Sequence, residues 1–391
     1  MSSVTIRKWM RLSNSSCTQA DSYRGSDTPI SHEEKVAPFP CFPHHNIMFL
    51  KTHKAAGSTV LNILLRFGQK YSLRFALPRR TNDFSYPEFF KRDYVDGYAP
   101  GTHFNILANH LRFCRKELHE VMPADTIYIT ILRDPGLLFD SSFHYFAPLV
   151  PFTWNFGGGI TVEEFLRDPW YYYRPSGLNA HLLKNLQAFD LGLDYNLNST
   201  DPYVDELFHN IEKTFKLIMI SEYFDESLVL LKDLLCWDFD DIVYFKLNMR
   251  AGGTSQLSNE AYSHAHAWNG LDLRLYKHFN NSLWHLIKSY GIERMRSDVK
   301  ELHRRKGQLA YTCLERGGPV VAENVRNKGL QPWQPPGASS IMGYNLRTNL
   351  SAELYESCRK MVMPELQYLS ELGVSLWLTK LWSWIRWLVR W

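Results

Sequence analysis

The segment NIMFLKTHKAAGSTVLNILLRFG (Asn46–Gly68) is the feature that most limits what this chain can fold into. A short apolar run leads into a polar loop, and a helical pattern of apolar residues follows without a spacer. That is the layout of a buried strand, an anion-cradling loop and a helix. Three more short apolar runs, Phe104–Asn109, Thr126–Leu132 and Lys216–Ile220, are bounded by polar or turn residues and also predict strands. Helical patterns lie between these runs, at Thr59–Phe67 and at Asp225–Leu235, where Leu228, Leu231 and Leu235 share one face. The alternation predicts an α/β fold, a P-loop-like, mostly parallel sheet flanked by helices. Ligands of such sheets bind beyond the carboxyl ends of the strands. The most distinctive residues of this chain sit there.

The first such loop is not a Walker A sequence. Gly57 is followed by Ser58, the lysines Lys51 and Lys54 come earlier, and no glycine opens the loop. The physics of anion capture is nevertheless present. Ala55, Ala56 and Gly57 allow close backbone approach, and the first N–H groups of the following helix are free to face an anion. Ser58 and Thr59 add hydroxyls, and Lys54 adds charge. An ordinary strand-to-helix turn with a capping hydroxyl is the plainer alternative. A second motif, ITILRDPGLLFDSSFHYF, places Arg133 directly after a strand and Ser141 eight residues later. A guanidinium fork and a hydroxyl one or two helical turns apart can converge on one phosphate, with Ser142 as the adjacent alternative.

Composition narrows the functional classes. With 45% apolar and 21% charged residues, the 391-residue chain is globular and well packed, and a net charge of +4 suits a local anion pocket. A nucleic-acid groove would carry basic stripes, so no nucleic-acid partner is expected. A kinase is disfavoured by the missing Gly-Lys-Ser/Thr order and magnesium carboxylate. His264, His266 and the pair His44–His45 have no third ligand at zinc-type spacing, so no metal is expected. The six cysteines are widely scattered and compatible with disulfides of undetermined pairing, and four Asn-x-Ser/Thr sequons permit a secretory route. No stretch of about 20 apolar residues is visible. Residues 1–44 read as a flexible lead, and 45–391 as one catalytic domain. Within it, Gly329–Asn345 reads as a Pro/Gly-rich joint to a C-terminal helical section, with an amphipathic helix over about 364–391. The polar stripe Lys380, Ser383, Arg386 and Arg390 leaves two readings for that helix: packing on the body or lying on a membrane.

The two loop motifs resemble the 5′-phosphosulfate loop and the 3′-phosphate motif of sulfotransferases that use 3′-phosphoadenosine 5′-phosphosulfate (PAPS). NDFSYPEFF, ANHLRF, EYFDESLVLLKDLLCW, VYFKLN, QPWQP and LGVSLWLTKLW extend the likeness from about Asn46 to the C-terminus, and with them the chain resembles the galactose-3-O-sulfotransferase family. The resemblance implies the PAPS-dependent sulfotransferase fold and transfer to the 3-hydroxyl of a terminal β-galactose. Galactosylceramide is the foremost acceptor, and galactose ends of glycoprotein glycans are the alternative. A non-catalytic binder of PAPS or glycolipid remains a further class.

By the same resemblance, Lys54 serves the leaving 5′-phosphate, while Lys51 is either a second site cation or a solvated residue. Ala55, Ala56, Gly57, Ser58 and Thr59 complete the donor loop, and Arg133 and Ser141 hold the 3′-phosphate. His110 is the expected base for the acceptor hydroxyl, with His53 as the second candidate. Asn109, Arg112 and the aromatic loop Tyr171–His181 are possible acceptor contacts. The family also implies a Golgi-lumenal, membrane-associated location, although its usual short N-terminal anchor is not visible here, and it leaves a homo-oligomer open.

Overall fold

The computed structural model describes Cys17 and residues 41–150, 153, 160–252, 257–334, 340–377 and 379. Five parallel strands form one sheet in the order β2-β3-β1-β4-β5. They are β1 (Ile47–Leu50), β2 (Phe75–Ala76), β3 (Ile106–Leu107), β4 (Ile127–Leu132) and β5 (Leu217–Ile220). All four residues of β1 are fully buried, as expected of a central strand covered on both faces. The four strands read from the sequence are present. The run Phe104–Asn109 pairs over only two residues, and β2 was not anticipated.

The principal helices are α1 (Gly57–Lys70), α2 (Pro135–Phe146), α3 (Leu186–Asp190), α4 (Tyr203–Thr214), α5 (Phe224–Leu235), α6 (Asn259–Trp268), α7 (Gly270–Tyr290), α8 (Ile292–Cys313), α9 (Ala352–Val362) and α10 (Glu365–Glu371). Helix α1 buries Val60, Leu61, Ile63, Leu64, Leu65 and Phe67, and α5 and α7 pack on β5. Leu228, Leu231 and Leu235 are fully buried, as their spacing predicts. Asp134 starts α2: its carboxylate accepts from the N–H groups of Gly136 and Leu137, and Pro135 takes the first helical position. The RDP tripeptide is therefore a helix start that leaves Arg133 at the strand end.

Three expectations change. Residues 41–44, read as the end of a flexible lead, are fixed by a Cys41–Cys236 disulfide and a bond from His44 N–H to the Leu235 carbonyl. The rest of the lead, apart from Cys17, lies outside the described residues. The described residues of the proposed joint at 329–345 pack back on the body: Arg250 bridges Ile341 and Val320 bridges Gly343; residues 335–339 lie outside the described residues. The helix expected over 364–391 ends at Glu371, where Gly373 takes φ +93° and Val374 N–H returns to the Leu369 carbonyl. Leu369, Val374 and Leu376 then pack with Leu77 and Leu366. Trp377 and Thr379 are helical again, and the rest of the tail, 378 and 380–391 with the polar stripe from Lys380 to Arg390, lies outside the described residues. No helix among the described residues is long and apolar enough to cross a membrane.

All six cysteines are paired, as Cys17–Cys114, Cys41–Cys236 and Cys313–Cys358. The last pair ties α8 to α9 and closes a span of 45 residues. Non-reducing peptide mapping is expected to recover these three pairs. Replacing Cys358 by Ala is expected to remove about 2–5 kcal/mol of stability, read as a lowered denaturation midpoint. A free thiol at Cys313 or Cys358 in the native protein would contradict the assignment.

Candidate active site

The site forms where the loops after β1, β3 and β4 converge at the carboxyl edge of the sheet. The β1–α1 loop turns sharply: Lys54 and Ala56 both lie in the left-handed region, at φ 58° and 65°. Non-glycine residues adopt this conformation at a cost and cluster at functional sites. No side chain caps α1, which leaves its N-terminus available to an anion. Gly57 has a packing reason to be glycine, because an added Cβ would come within 2.7 Å of Lys51 Cγ. The lysine stem passes directly beside it.

The two lysines of the loop part company. Lys51 is buried and its ammonium pairs with Glu365 of α10, whose carboxylate also accepts from the Ser58 hydroxyl at 3.2 Å. Lys51 therefore ties the loop to the C-terminal section rather than standing as a free site cation. Lys54 has no carboxylate partner among the described residues, and its Nζ lies 3.9 Å from the centroid of the Tyr145 ring. Burial, then the charges of Arg133, Arg250 and Lys51, lower its pKa to about 7. Thr59 is buried and its hydroxyl accepts from Leu247 N–H at 3.1 Å, which makes it a brace for the segment after α5.

Arg133 donates from Nη1 to the Lys54 carbonyl at 2.9 Å, so the two motifs are directly joined. The Gln187 side-chain amide clamps the Arg133 backbone, accepting from its N–H at 2.7 Å and donating to its carbonyl at 3.0 Å. Burial holds the Arg133 pKa below its usual range. Ser141, in the second turn of α2, is half-buried, whereas Ser142 is buried, so Ser141 is the reachable hydroxyl. Arg250, which sequence reasoning missed, joins the cation group and pairs with Asp140 at 3.2 Å.

The two histidines stack face to face with ring centroids 4.0 Å apart. His110 Nδ1 lies 2.9 Å from the Lys51 carbonyl, which can only accept, so Nδ1 carries the proton and Nε2 the lone pair. Burial, then the charges of Lys51 and His53, pushes the His110 pKa well below the usual histidine value. His53 is held differently. Its backbone N–H donates to Asp190 Oδ2 at 2.8 Å and its Nδ1 lies 3.0 and 3.1 Å from the two Asp190 oxygens. Tyr86 donates to the same carboxylate at 2.8 Å. Asp190 is fully buried and gave no local signal in the sequence.

The other candidates have structural partners. Arg112 is sandwiched between Phe89 and Phe189, 3.8 and 4.1 Å from their centroids, and Asn109 Nδ2 donates to the Asn82 carbonyl at 3.2 Å. In the aromatic loop, Tyr173 is buried and Tyr171 exposed, while His181 packs on Phe189 and against the Tyr86 ring behind the histidine pair. His266 pairs with the capping Asp134 at 3.0 Å, and the His45 ring packs near Phe67 and Tyr71. A cavity of about 330 Å³ opens on His53, His110 and Ser58, with Trp333, Tyr344 and Glu365 among its opposite lining. The supposed joint is thus a cavity wall.

Comparison with known proteins agrees with this geometry. A family model described as Galactose-3-O-sulfotransferase matches residues 11–376. The galactosylceramide sulfotransferase of Homo sapiens is 50% identical over 352 residues, covering 90% of this chain and 83% of the relative. That of Mus musculus is 49% identical over the same shares. Galactose-3-O-sulfotransferase 2 of Homo sapiens is 41% identical over 351 residues, covering 88% of this chain and 86% of the relative.

The unpaired Lys54 gives the site a pH signature. Bound phosphate favours the ammonium and raises its pKa, so binding takes up a proton at pH values above about 7. The affinity for adenosine 3′,5′-bisphosphate is expected to fall as pH rises from 7 to 9, by at most about tenfold per unit. Calorimetry in buffers of different ionisation enthalpy reads both effects. Lys54→Arg, always charged, is expected to flatten the dependence. Lys54→Ala is expected to weaken binding by about 10–100-fold. A parent affinity that does not change over this pH range would refute the assignment.

Proposed function

Because the chain belongs to the galactose-3-O-sulfotransferase family, we propose that it transfers a sulfuryl group from PAPS to the 3-hydroxyl of a terminal β-galactose, with galactosylceramide as the acceptor. The observation that carries this reading is a stacked histidine pair on a cavity also lined by Tyr145, whose ring lies against Lys54, a lysine tethered to Arg133 and without a carboxylate partner among the described residues. The acceptor choice is supported by the 50% identity to a galactosylceramide sulfotransferase, against 41% to a galactose-3-O-sulfotransferase 2. Three disulfides favour an oxidising compartment, in keeping with a Golgi-lumenal enzyme working at a membrane surface.

The residues fit the donor. Lys54 lacks a counter-ion, the start of α1 is uncapped, and Arg133 and Ser141 lie one strand away for the 3′-phosphate. The reaction is an in-line displacement in which the galactose 3-oxygen bonds to sulfur while the bond from sulfur to the phosphate oxygen breaks. Lys54 stabilises the charge that develops on the leaving phosphate. The hydroxyl proton goes to a histidine.

Of the two, His53 is the better base. Asp190 stabilises the imidazolium that forms, and the same carboxylate fixes the proton on Nδ1, leaving Nε2 to accept. His110 sits on the carbonyl of Lys51 in a buried, cationic setting that opposes a second positive charge. It acts as the neutral partner that holds the His53 ring in place and contributes a hydrogen-bond acceptor at Nε2. This reverses the order in which the sequence ranks them.

The test supplies radiolabelled PAPS to the full chain, expressed in a secretory host, with galactosylceramide, lactosylceramide and soluble galactosyl-β-N-acetylglucosamine. Label is expected in galactosylceramide. His53→Ala is expected to lose ~10²–10⁴-fold in rate, and His110→Ala less than His53→Ala. Label confined to the soluble glycan would transfer the reading to glycoprotein acceptors. Nucleotide binding without any transfer would leave a non-catalytic relative.

A further inference from the structure

Helix α3 is five residues long, yet it touches both halves of the site. Gln187, in its first turn, clamps the backbone of Arg133 on the donor side. Asp190, at its end, holds the ring and backbone of His53 and the hydroxyl of Tyr86. A helix this short has almost no stability of its own, because nucleation consumes the few hydrogen bonds it makes. Something outside it has to hold it in place.

That support is Asp272, in the first turn of α7 and fully buried. Its carboxylate accepts from Gln187 N–H at 3.0 Å and from Ala188 N–H at 2.8 Å. Asn185, which precedes α3 with φ 43°, accepts from Asp272 N–H at 3.2 Å in return, and Asn185 N–H donates to Asn269 at 2.8 Å. The start of α7 and the start of α3 thus meet, and both carry partial positive charge. The carboxylate between them neutralises that charge and satisfies N–H groups that would otherwise be buried without acceptors. The Gln187 side chain, which clamps Arg133, also hydrogen-bonds the Asp272 carboxylate, so this buried group supports the donor-side clamp directly as well as through the helix backbone.

We propose that Asp272 is a positioning residue for the transfer reaction: through α3 it sets the donor arginine and the base-orienting carboxylate as one unit. The inference rests on the sulfotransfer reading above. It makes the nucleotide affinity and the orientation of His53 depend on one buried group that touches neither substrate. Burial raises the Asp272 pKa to about 7, and asparagine is its neutral isostere. Asparagine offers one oxygen and turns an N–H pair toward the second backbone N–H, which loosens α3 without emptying the space.

Asp272→Asn is compared with Gln187→Leu and Asp190→Asn in the full chain. Three quantities are read: affinity for adenosine 3′,5′-bisphosphate, kcat for galactosylceramide, and the acid limb of the kcat/KM pH profile. Gln187→Leu is expected to change mainly the affinity, and Asp190→Asn mainly the pH limb. Asp272→Asn is expected to change both together, with affinity and kcat each falling by about tenfold or more, since small misplacements of reacting groups carry rate losses of that order. A lowered melting temperature with parental affinity and pH profile would show a merely structural role and overturn the proposal. Movement of only one of the two quantities would overturn the coupling equally. If Asp272→Asn does not accumulate as folded protein, Asn185→Gly keeps the backbone angle, removes the reciprocal bond and is expected to give the same paired change more weakly. A parent that binds the nucleotide but transfers nothing overturns the enzymatic reading and this proposal with it. An active parent with an unaltered Asp272→Asn variant overturns this proposal alone.

Discussion

The site depends on holding cations together without a matching carboxylate. Lys54 lies among Arg133, Arg250 and Lys51, and among the described residues Arg250 and Lys51 form salt bridges, with Asp140 and Glu365, whereas Lys54 forms none. Such a group repels itself and persists only where a stiff frame fixes its members. The frame is made of neighbours that sequence distance conceals. Strands β1 and β4 are paired in the sheet, which brings the Lys54 loop beside Arg133, and a bond between them then locks the two loops. Gln187 holds the backbone of Arg133 from the far side. Clustered cations of this kind concentrate positive potential locally on a chain of modest net charge.

The same frame sorts the histidines. Both rings are fixed through Nδ1, which leaves an Nε2 lone pair on each, and the sequence ranks His110 first from its position alone. Their partners reverse that order. A carbonyl behind His110 fixes its tautomer but offers no charge, while a carboxylate behind His53 both fixes the tautomer and stabilises the protonated ring. The stacking at 4.0 Å adds a further constraint, since two imidazolium rings at that distance repel.

How much of this the sequence reveals follows from the range of each signal. β1, β4, β5 and the helices α1 and α5 are continuous apolar patterns with polar borders, so local reading finds them. β2 and β3 are two residues each, too short for periodicity to register. Lys54, Arg133 and Ser141 are visible because they stand in the loop after β1, at the end of β4 and in the helix that follows it. Asp190, Gln187 and Arg250 are not, because each reaches the site across many residues of chain and has no motif around it. Lys51 is ambiguous in sequence for the opposite reason. It stands in the right loop, and only the distant Glu365 shows that its charge is already used. The Pro/Gly-rich segment at 329–345 has the composition of a linker, but prolines and glycines also suit a chain that must turn repeatedly to line a cavity.

The cavity is lined from different parts of the chain. The histidines, Lys54 and Arg133 come from the loops after β1, β3 and β4, braced by α3. Trp333, Tyr344 and Glu365 line the cavity from the C-terminal part. The two parts are joined by the Lys51–Glu365 pair and by the Asn62 side chain donating to the Lys360 carbonyl at 2.8 Å, with Cys313–Cys358 anchoring α9 to α8. A partly buried ion pair of this kind contributes geometry more than stability, because desolvation offsets most of its attraction. It fixes the distance between the β1–α1 loop and α10, so changes at Lys51 or Glu365 act on both parts of the chain at once.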